Sequence, residues 1–179
     1  MSIIILAIII FAIGLPISIS INKKKARNLG NEKFQKYIED NNIFVSKFVD
    51  MPTISGTSKF LVDEKSENVY YLATNNNTEN IFVNKIPFKD VIKCELIKDS
   101  KTKLIEEKFS LFDNYNSKEY VKKFGIRIIF NDMNFPCLEI LFLNSAQGQT
   151  LFGLDHVVKA TNEWISIMNI VIERGKRAK

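Results

Sequence analysis

Histidine and cysteine are the side chains that most often transfer protons, attack substrates or bind transition metals, and this chain has few of them. It contains one histidine, His156, and two cysteines, Cys94 and Cys137, which are far apart in the sequence. Neither zinc-ligand spacing nor a nucleophile paired with a base occurs around them. We therefore expect no metal, no cofactor and no catalytic role for His156, which we place at the surface or at the start of a helix.

The acidic residues and glycines also lack the patterns that catalytic and phosphate-binding sites require. Asp63, Glu64 and Glu67 fall in a predicted hairpin turn, where solvated carboxylates are common. Glu106 and Glu107 alternate sides on a predicted strand, so they cannot both point into one site. The chain has neither a Gly-rich phosphate loop nor a Gly-x-Ser-x-Gly sequence. We therefore expect a binding protein rather than an enzyme.

The N-terminus is an apolar run from Ile3 to Ile21 that is followed at once by Lys23, Lys24, Lys25 and Arg27. A helix of this run is roughly 28 Å long, which matches the hydrocarbon thickness of a bilayer. We interpret residues 1–22 as a single transmembrane anchor in the cell membrane. Because positive residues stay on the cytoplasmic side, we expect the N-terminus outside and the C-terminal domain in the cytoplasm. The alternatives are a cleaved signal peptide, whose basic residues would precede the apolar run, and a buried helix of a soluble protein.

The net charge of +5 is concentrated at the two ends of the part that follows the anchor. Residues 22–42 hold six basic residues and residues 173–179 hold four, whereas basic and acidic residues nearly balance between them. Basic residues near a membrane are attracted to anionic headgroups, each by about 1 kcal/mol. A purely solvated end is an equal alternative for the C-terminal tail. We expect a membrane surface rather than nucleic acid as the charged partner, contacted by Lys23, Lys24, Lys25, Arg27, Arg174, Lys176 and Arg177.

The two cysteines are expected to be reduced, because the chain after the anchor is assigned to the cytoplasm. Apolar and polar residues alternate around Cys94, which places Ile92, Cys94 and Leu96 on one buried face of a strand. Cys137 begins another predicted strand, directly after a proline. We expect both thiols to be small buried groups rather than parts of a disulfide or a metal site.

The remaining chain divides into a stalk, a domain and a tail. We expect a short helix over 26–42, which Asn41 and Asn42 end. Residues 23–42 then form a basic juxtamembrane stalk. The domain, residues 43–174, has short runs rich in Val, Ile, Phe and Tyr between polar turns, which indicates an antiparallel meander. An amphipathic helix from Asp155 to a terminator at Gly175 completes it, with Trp164 in the core, and residues 175–179 form a basic tail. The predicted strands are 43–49, 59–63, 69–74, 81–84, 91–97, 108–112 (joined loosely to Leu104), 124–131 and 138–143.

This order of elements, together with one local sequence, resembles the bacterial pleckstrin-homology-like (PH-like) domains. Ile86–Leu96, with the sequence IPFKDVIKCEL, is similar to the turn that leads into a central strand of those domains. Val157–Ile172, with Trp164, resembles the helix that closes one end of their barrel. The resemblance covers residues 43–174. It implies a mainly β (α+β) fold, an antiparallel barrel or sandwich of about seven strands capped by the C-terminal helix, in a small membrane-anchored protein of a kind whose role is unassigned.

One difference from the phosphoinositide-binding members concerns the loop between the first two strands. Those domains place Lys and Arg there, whereas the loop predicted here, Met51–Thr57, has no basic residue. The leading hypothesis is therefore a membrane-anchored, cytoplasm-facing module that binds another protein as an adaptor or assembly factor. The binding surface would be an exposed edge strand or the groove between that edge and the last helix. The alternative is a sensor of anionic lipid headgroups that uses the basic residues at both ends.

We expect a reporter fused after Lys179 to be active only if it is one that functions in the cytoplasm. The physical reason is the block of basic residues after the apolar run, which keeps that side of the anchor in the cytoplasm. Paired fusions, one to a cytoplasm-dependent reporter and one to an exterior-dependent reporter, measure this. Activity of the exterior reporter alone would contradict the predicted orientation.

Overall fold

The computed structural model describes residues 27–53, 56–75, 80–99, 101–104, 120–151 and 153–177. The predicted anchor, residues 1–22, and Lys23, Lys24 and Lys25 lie outside these residues. No helix within the described ranges is long and apolar enough to cross a membrane. The chain divides into two compact units. One contains the residues up to Asp63 and Tyr70–Val83, and the other contains Glu64–Val69 and Asn84–Lys179.

The described part of the chain is mainly β, which confirms the predicted class. A helix over residues 27–40, α1, comes first, and the chain ends with a second helix, α2, at Asp155–Arg177. A 3₁₀ turn at Phe88–Asp90 separates the fourth and fifth strands. Two four-stranded antiparallel sheets have the orders β1-β2-β3-β4 and β6-β5-β7-β8. The strands are β1 Lys47–Thr53, β2 Gly56–Asp63, β3 Asn68–Asn75, β4 Ile81–Pro87, β5 Val91–Lys98, β6 Lys101–Leu104, β7 Tyr120–Phe130 and β8 Cys137–Thr150.

Several bounds differ from those predicted. The first strand starts at Lys47 rather than at residue 43, and it pairs with β2 until Thr53 lies opposite Gly56. The prediction of a loop at Met51–Thr57 is therefore wrong for most of these residues, because β1 and β2 pair there. The predicted strand 108–112 lies outside the described residues, and β8 continues to Thr150, well beyond residue 143.

The helix α1 packs on the first sheet. Its Phe34 is fully buried in a core cluster with Ile43, Leu61, Tyr70 and Leu72. Tyr37 and Ile38, one turn further along the helix, pack against the same cluster. The prediction of a helix here is confirmed. The helix is part of the first unit, whereas the sequence assigned it to a stalk outside the domain.

The end of α1 follows from two asparagines, as predicted. Asn41 donates its backbone N–H and its side-chain amide to the carbonyl of Tyr37, at 3.1 and 2.9 Å. Asn42 has a φ of +50°, the left-handed conformation that asparagine tolerates and that commonly ends helices. The N–H of Ile43 then bonds to the carbonyl of Ile38 at 3.0 Å, which turns Ile43 into the core.

The second sheet is built around β5, which lies between β6 and β7. Its residues from Cys94 to Ile97 are buried on both faces, as is typical of inner strands. In a meander, each strand pairs with the next one along the chain. Because β7 pairs with β5 and not with β6, the meander predicted for the whole domain holds only for the first sheet. Ile92 is 51% exposed, so its predicted place beside Cys94 is wrong. A register shift between Val91 and Lys93 takes it off that face.

The helix α2 packs against β5, β7, β8 and the 3₁₀ turn. Its buried residues include Met168 and Trp164, and the burial of Trp164 confirms its predicted place in the core. The prediction that Gly175 ends the helix is wrong, since α2 continues to Arg177. A Cβ at Gly175 would lie 2.2 Å from the carbonyl oxygen of Phe88, so glycine is needed there for close packing against the 3₁₀ turn.

We expect Phe34→Ala to lower the free energy of unfolding by about 3 kcal/mol or more, because it removes a fully buried aromatic ring from the core cluster. Leu29→Ala on the same helix is the matched control, since Leu29 is 53% exposed. Thermal and denaturant unfolding of the full chain measure both. Equal stability of the two variants would mean that α1 is a detached stalk.

Candidate interaction surface

Arg174 connects the C-terminal part of α2 to two turns of the same unit. Its Nε and Nη2 donate to Oε1 of Glu67 at 3.2 and 2.9 Å, and Nη2 also donates to the backbone carbonyl of Glu64 at 3.0 Å. The guanidinium carbon lies 5.5 Å from the ring centre of Phe88, within the range of a cation–π contact. One side chain therefore joins α2, the turn before β3 and the 3₁₀ turn.

The basic residues predicted to face a membrane have different surroundings. Arg174 is used in the contacts above, so its role is at least partly structural. Arg27, in α1, is exposed. Arg177 is exposed at the end of α2, and the exposed Lys176 lies 3.5 Å from Oε1 of Glu173. Lys23, Lys24 and Lys25 lie outside the described residues.

The acidic hairpin turn is more than a solvated loop. Asp63 is buried, and its Oδ2 accepts the backbone N–H of Phe44 at 3.3 Å. Glu67 forms the ion pair with Arg174. The prediction of simple solvation is wrong for these two carboxylates, because each meets a donor from a distant part of the chain.

The candidate reactive side chains are separate from one another. His156 is exposed at the start of α2, as predicted. Cys94 is buried on β5, and this burial, helped by the charge of Glu95, raises the pKa of its thiol to about 12. Cys137 is exposed, so the prediction that it is buried is wrong; it begins β8 before the first buried residue of that strand, Leu138. Across the described ranges, no three His, Cys, Asp or Glu residues could hold a metal ion.

The outer strands of the sheets differ in how well they resist pairing with another strand. An outer strand exposes unpaired backbone N–H and C=O groups, and lysine or proline in it discourages further pairing. The sequences are KFVDMPT for β1, IFVNKIP for β4 and KTKL for β6, so each contains lysine, proline or both. In the part of the chain that the structure describes, only the fourth outer strand, β8, contains neither.

The straight part of β8 is Cys137–Leu141, which pairs without interruption with Gly125–Ile129 of β7. We call this segment the β8 edge. Glu139 is its one charged residue, while Leu138 and Ile140 are buried. Directly after it the register shifts, and Gly148 has a φ of +78°, so the rest of the strand is bent. The β8 edge thus offers a short, regular strand that has neither lysine nor proline and carries a single charge, Glu139.

A row of alternating charges ends at the β8 edge. Glu95 of β5 is the register partner of Arg127 in β7, and Arg127 is the partner of Glu139. Arg127 donates from Nε and Nη2 to Oε1 of Glu139 at 3.0 and 2.5 Å. The hydrogen bond to Glu139, supported by the charges of both carboxylates, raises the pKa of the Arg127 guanidinium. We call Glu95, Arg127 and Glu139 the charge ladder; Lys93 adds an ion pair to Glu95 at 2.6 Å.

Sequence reasoning did not identify the charge ladder or the partners of Arg174. A signal for the ladder was present, because FGIRIIF and CLEILF each contain a single charged residue within an otherwise apolar strand pattern. Charged residues in such strands are commonly paired across the sheet. No comparable signal links Arg174 to Glu67, which lies 107 positions earlier.

Comparison with protein-family models, with curated proteins and with solved structures found no match to this chain.

We expect one thiol of the native full chain to react with DTNB (a disulfide reagent for thiols) at pH 8, and two after denaturation. Cys137 is exposed, whereas the raised pKa of Cys94 keeps its thiol protonated and burial blocks access. In Cys137→Ser no native thiol should react, and in Cys94→Ser one should. Two reactive thiols in the native wild-type chain would contradict the buried position of Cys94.

The raised pKa of Cys94 also predicts a loss of stability in alkali. Above about pH 8.5 an unfolded cysteine releases its proton while the buried thiol retains it, so the free energy of unfolding falls as pH rises toward 12. Cys94→Ser should make this alkaline fall less steep in denaturant unfolding.

Proposed function

We propose that this protein is a membrane-anchored interaction module that binds an extended segment of another protein by strand addition at the β8 edge. The observation that carries the proposal is the absence of lysine and proline from β8, in contrast to the other outer strands of the described sheets. Strand addition supplies affinity through main-chain hydrogen bonds, and the alternating side chains supply specificity.

The amino-acid composition of the β8 edge supports the proposal that another strand covers it. Four of its five residues are Cys, Leu or Ile, and a regular outer strand with so little charge readily pairs with a further strand. Its length, roughly 17 Å, suits a short strand of about five residues. A bound segment would satisfy the outward backbone groups of β8 and shield Leu138 at the rim of the core, where Leu138 is 9% exposed.

The PH-like class and the membrane anchor belong to the same proposal. The features that support the class are the two antiparallel sheets before a single last helix, the IPFKD turn that enters the inner strand β5, and the buried Trp164. The anchor rests on the apolar run and the basic residues after it. Together they suggest an adaptor or assembly factor at the cytoplasmic side of the membrane.

A second candidate function is recognition of anionic lipid headgroups. Arg27, Lys176 and Arg177 are exposed, as such a role requires. The contacts of Arg174 with Glu67, Glu64 and Phe88 weaken this candidate, because they occupy the arginine that begins the basic tail. The neutral charge balance between residues 43 and 172 also favours a protein partner.

The test is photo-crosslinking of the full chain in its membrane, with a photoreactive residue in place of Cys137. We expect protein adducts at this position, and we expect Leu141→Lys to reduce their yield several-fold, because a lysine on the β8 edge discourages strand pairing. A photoreactive residue at Lys159, which is exposed on α2, gives the background yield.

Ile170→Lys is the matched control, since it introduces the same charge at an exposed apolar position of α2 rather than on β8. It should leave the adduct yield at position 137 unchanged, and thermal unfolding should show that both lysine variants remain folded. The proposal fails if Leu141→Lys and Ile170→Lys give the same yield, or if position 137 crosslinks no more than position 159.

A further inference from the structure

We infer that the segment bound at the β8 edge carries an arginine or lysine directly opposite Glu139, with an apolar residue on each side of it. This inference rests on the proposed strand addition and specifies the chemistry of the partner. The charge ladder is the observation that carries it.

The charge ladder alternates in sign from strand to strand. Glu95, Arg127 and Glu139 occupy one register level across β5, β7 and β8, so the order of charges is negative, positive, negative. The sheet ends there, at a carboxylate on its outer strand. A further strand in register would place one residue beside Glu139, where a positive side chain continues the alternation and a negative one meets a like charge.

The carboxylate of Glu139 has capacity for a second donor. Both hydrogen bonds from Arg127 go to Oε1, and across the described residues Oε2 accepts none. An ionised carboxylate can accept about four hydrogen bonds, so pairing with Arg127 leaves it unsaturated. The side chain is 38% exposed, so an incoming guanidinium or ammonium group can reach its carboxylate.

The neighbours of Glu139 determine what flanks the basic residue. Leu138 and Ile140 point to the buried face, on either side of Glu139 in sequence. Side chains alternate along a strand, so the partner residues before and after the basic one lie on that apolar face. The expected pattern is therefore apolar, basic, apolar.

A second copy of β8 does not fit this description. The strand CLEILFLNSAQGQT contains no lysine or arginine, so self-pairing cannot put a positive side chain opposite Glu139. The other outer strands do contain lysine, but each also has the features that protect strand edges. The structure thus favours a segment of a different protein.

The probes are fluorescent peptides Ser-Thr-Val-X-Val-Thr-Val-Ser, in which X is Arg, Gln or Glu, titrated against the full chain in detergent. We expect the Arg peptide to bind roughly fivefold more tightly than the Glu peptide, with the Gln peptide between them. In Glu139→Gln the three affinities should converge. Glu163→Gln, which removes the same charge from α2, should preserve the wild-type order.

The outcomes distinguish a failure of the inference about Glu139 from a failure of the proposed site at the β8 edge. If the three peptides bind equally to the wild type and Leu141→Lys weakens all of them, strand addition stands and the inference about Glu139 is wrong. If the preference for Arg persists in Glu139→Gln, another carboxylate sets it and the inference is again wrong. If no peptide binds, or Leu141→Lys changes nothing, the proposed site at the β8 edge fails and the inference fails with it.

Discussion

An open β-sheet leaves backbone N–H and C=O groups unpaired along its outer strands. In the described part of the chain, the four outer strands differ in how they meet this constraint. Lysine and proline in β1, β4 and β6 make further pairing unfavourable. In β8 the straight segment Cys137–Leu141 lacks both, and only a bend follows it. The contrast between β8, which has neither lysine nor proline, and the three other outer strands is the physical basis for the proposed binding role.

Two arginines hold the second unit together in different ways. Arg127 links neighbouring strands through Glu139, and it lies opposite Glu95 in the register of the sheet. Arg174 links α2 to Glu67 and Phe88, far away in sequence. In both cases a guanidinium makes several contacts at fixed angles, which a lysine could not reproduce. The C-terminal charge therefore belongs partly to the fold and only partly to any membrane surface.

Periodic patterns predicted most of the elements but not the details that depend on pairing. The strands around Cys94 and Phe124 and the helix with Trp164 follow from alternation and from the helical period. The exposure of Ile92 and Cys137 was predicted wrongly. A register shift determines the exposure of Ile92, and a position at the start of an outer strand determines that of Cys137. Phe34 was placed in a stalk because a short amphipathic helix looks the same whether its apolar face meets a sheet or not.

The sequence by itself determined the mainly β class, the last helix, the apolar N-terminal run and the location of charge, since each depends on local composition and period. Tertiary structure alone decided which strands are outer, which charges align and which basic residue is internally paired. Arg127 and Glu139 are separated by 12 positions, and Arg174 and Glu67 by 107. Contacts over such distances arise only when strand register and helix packing bring the residues together, and no local pattern records them.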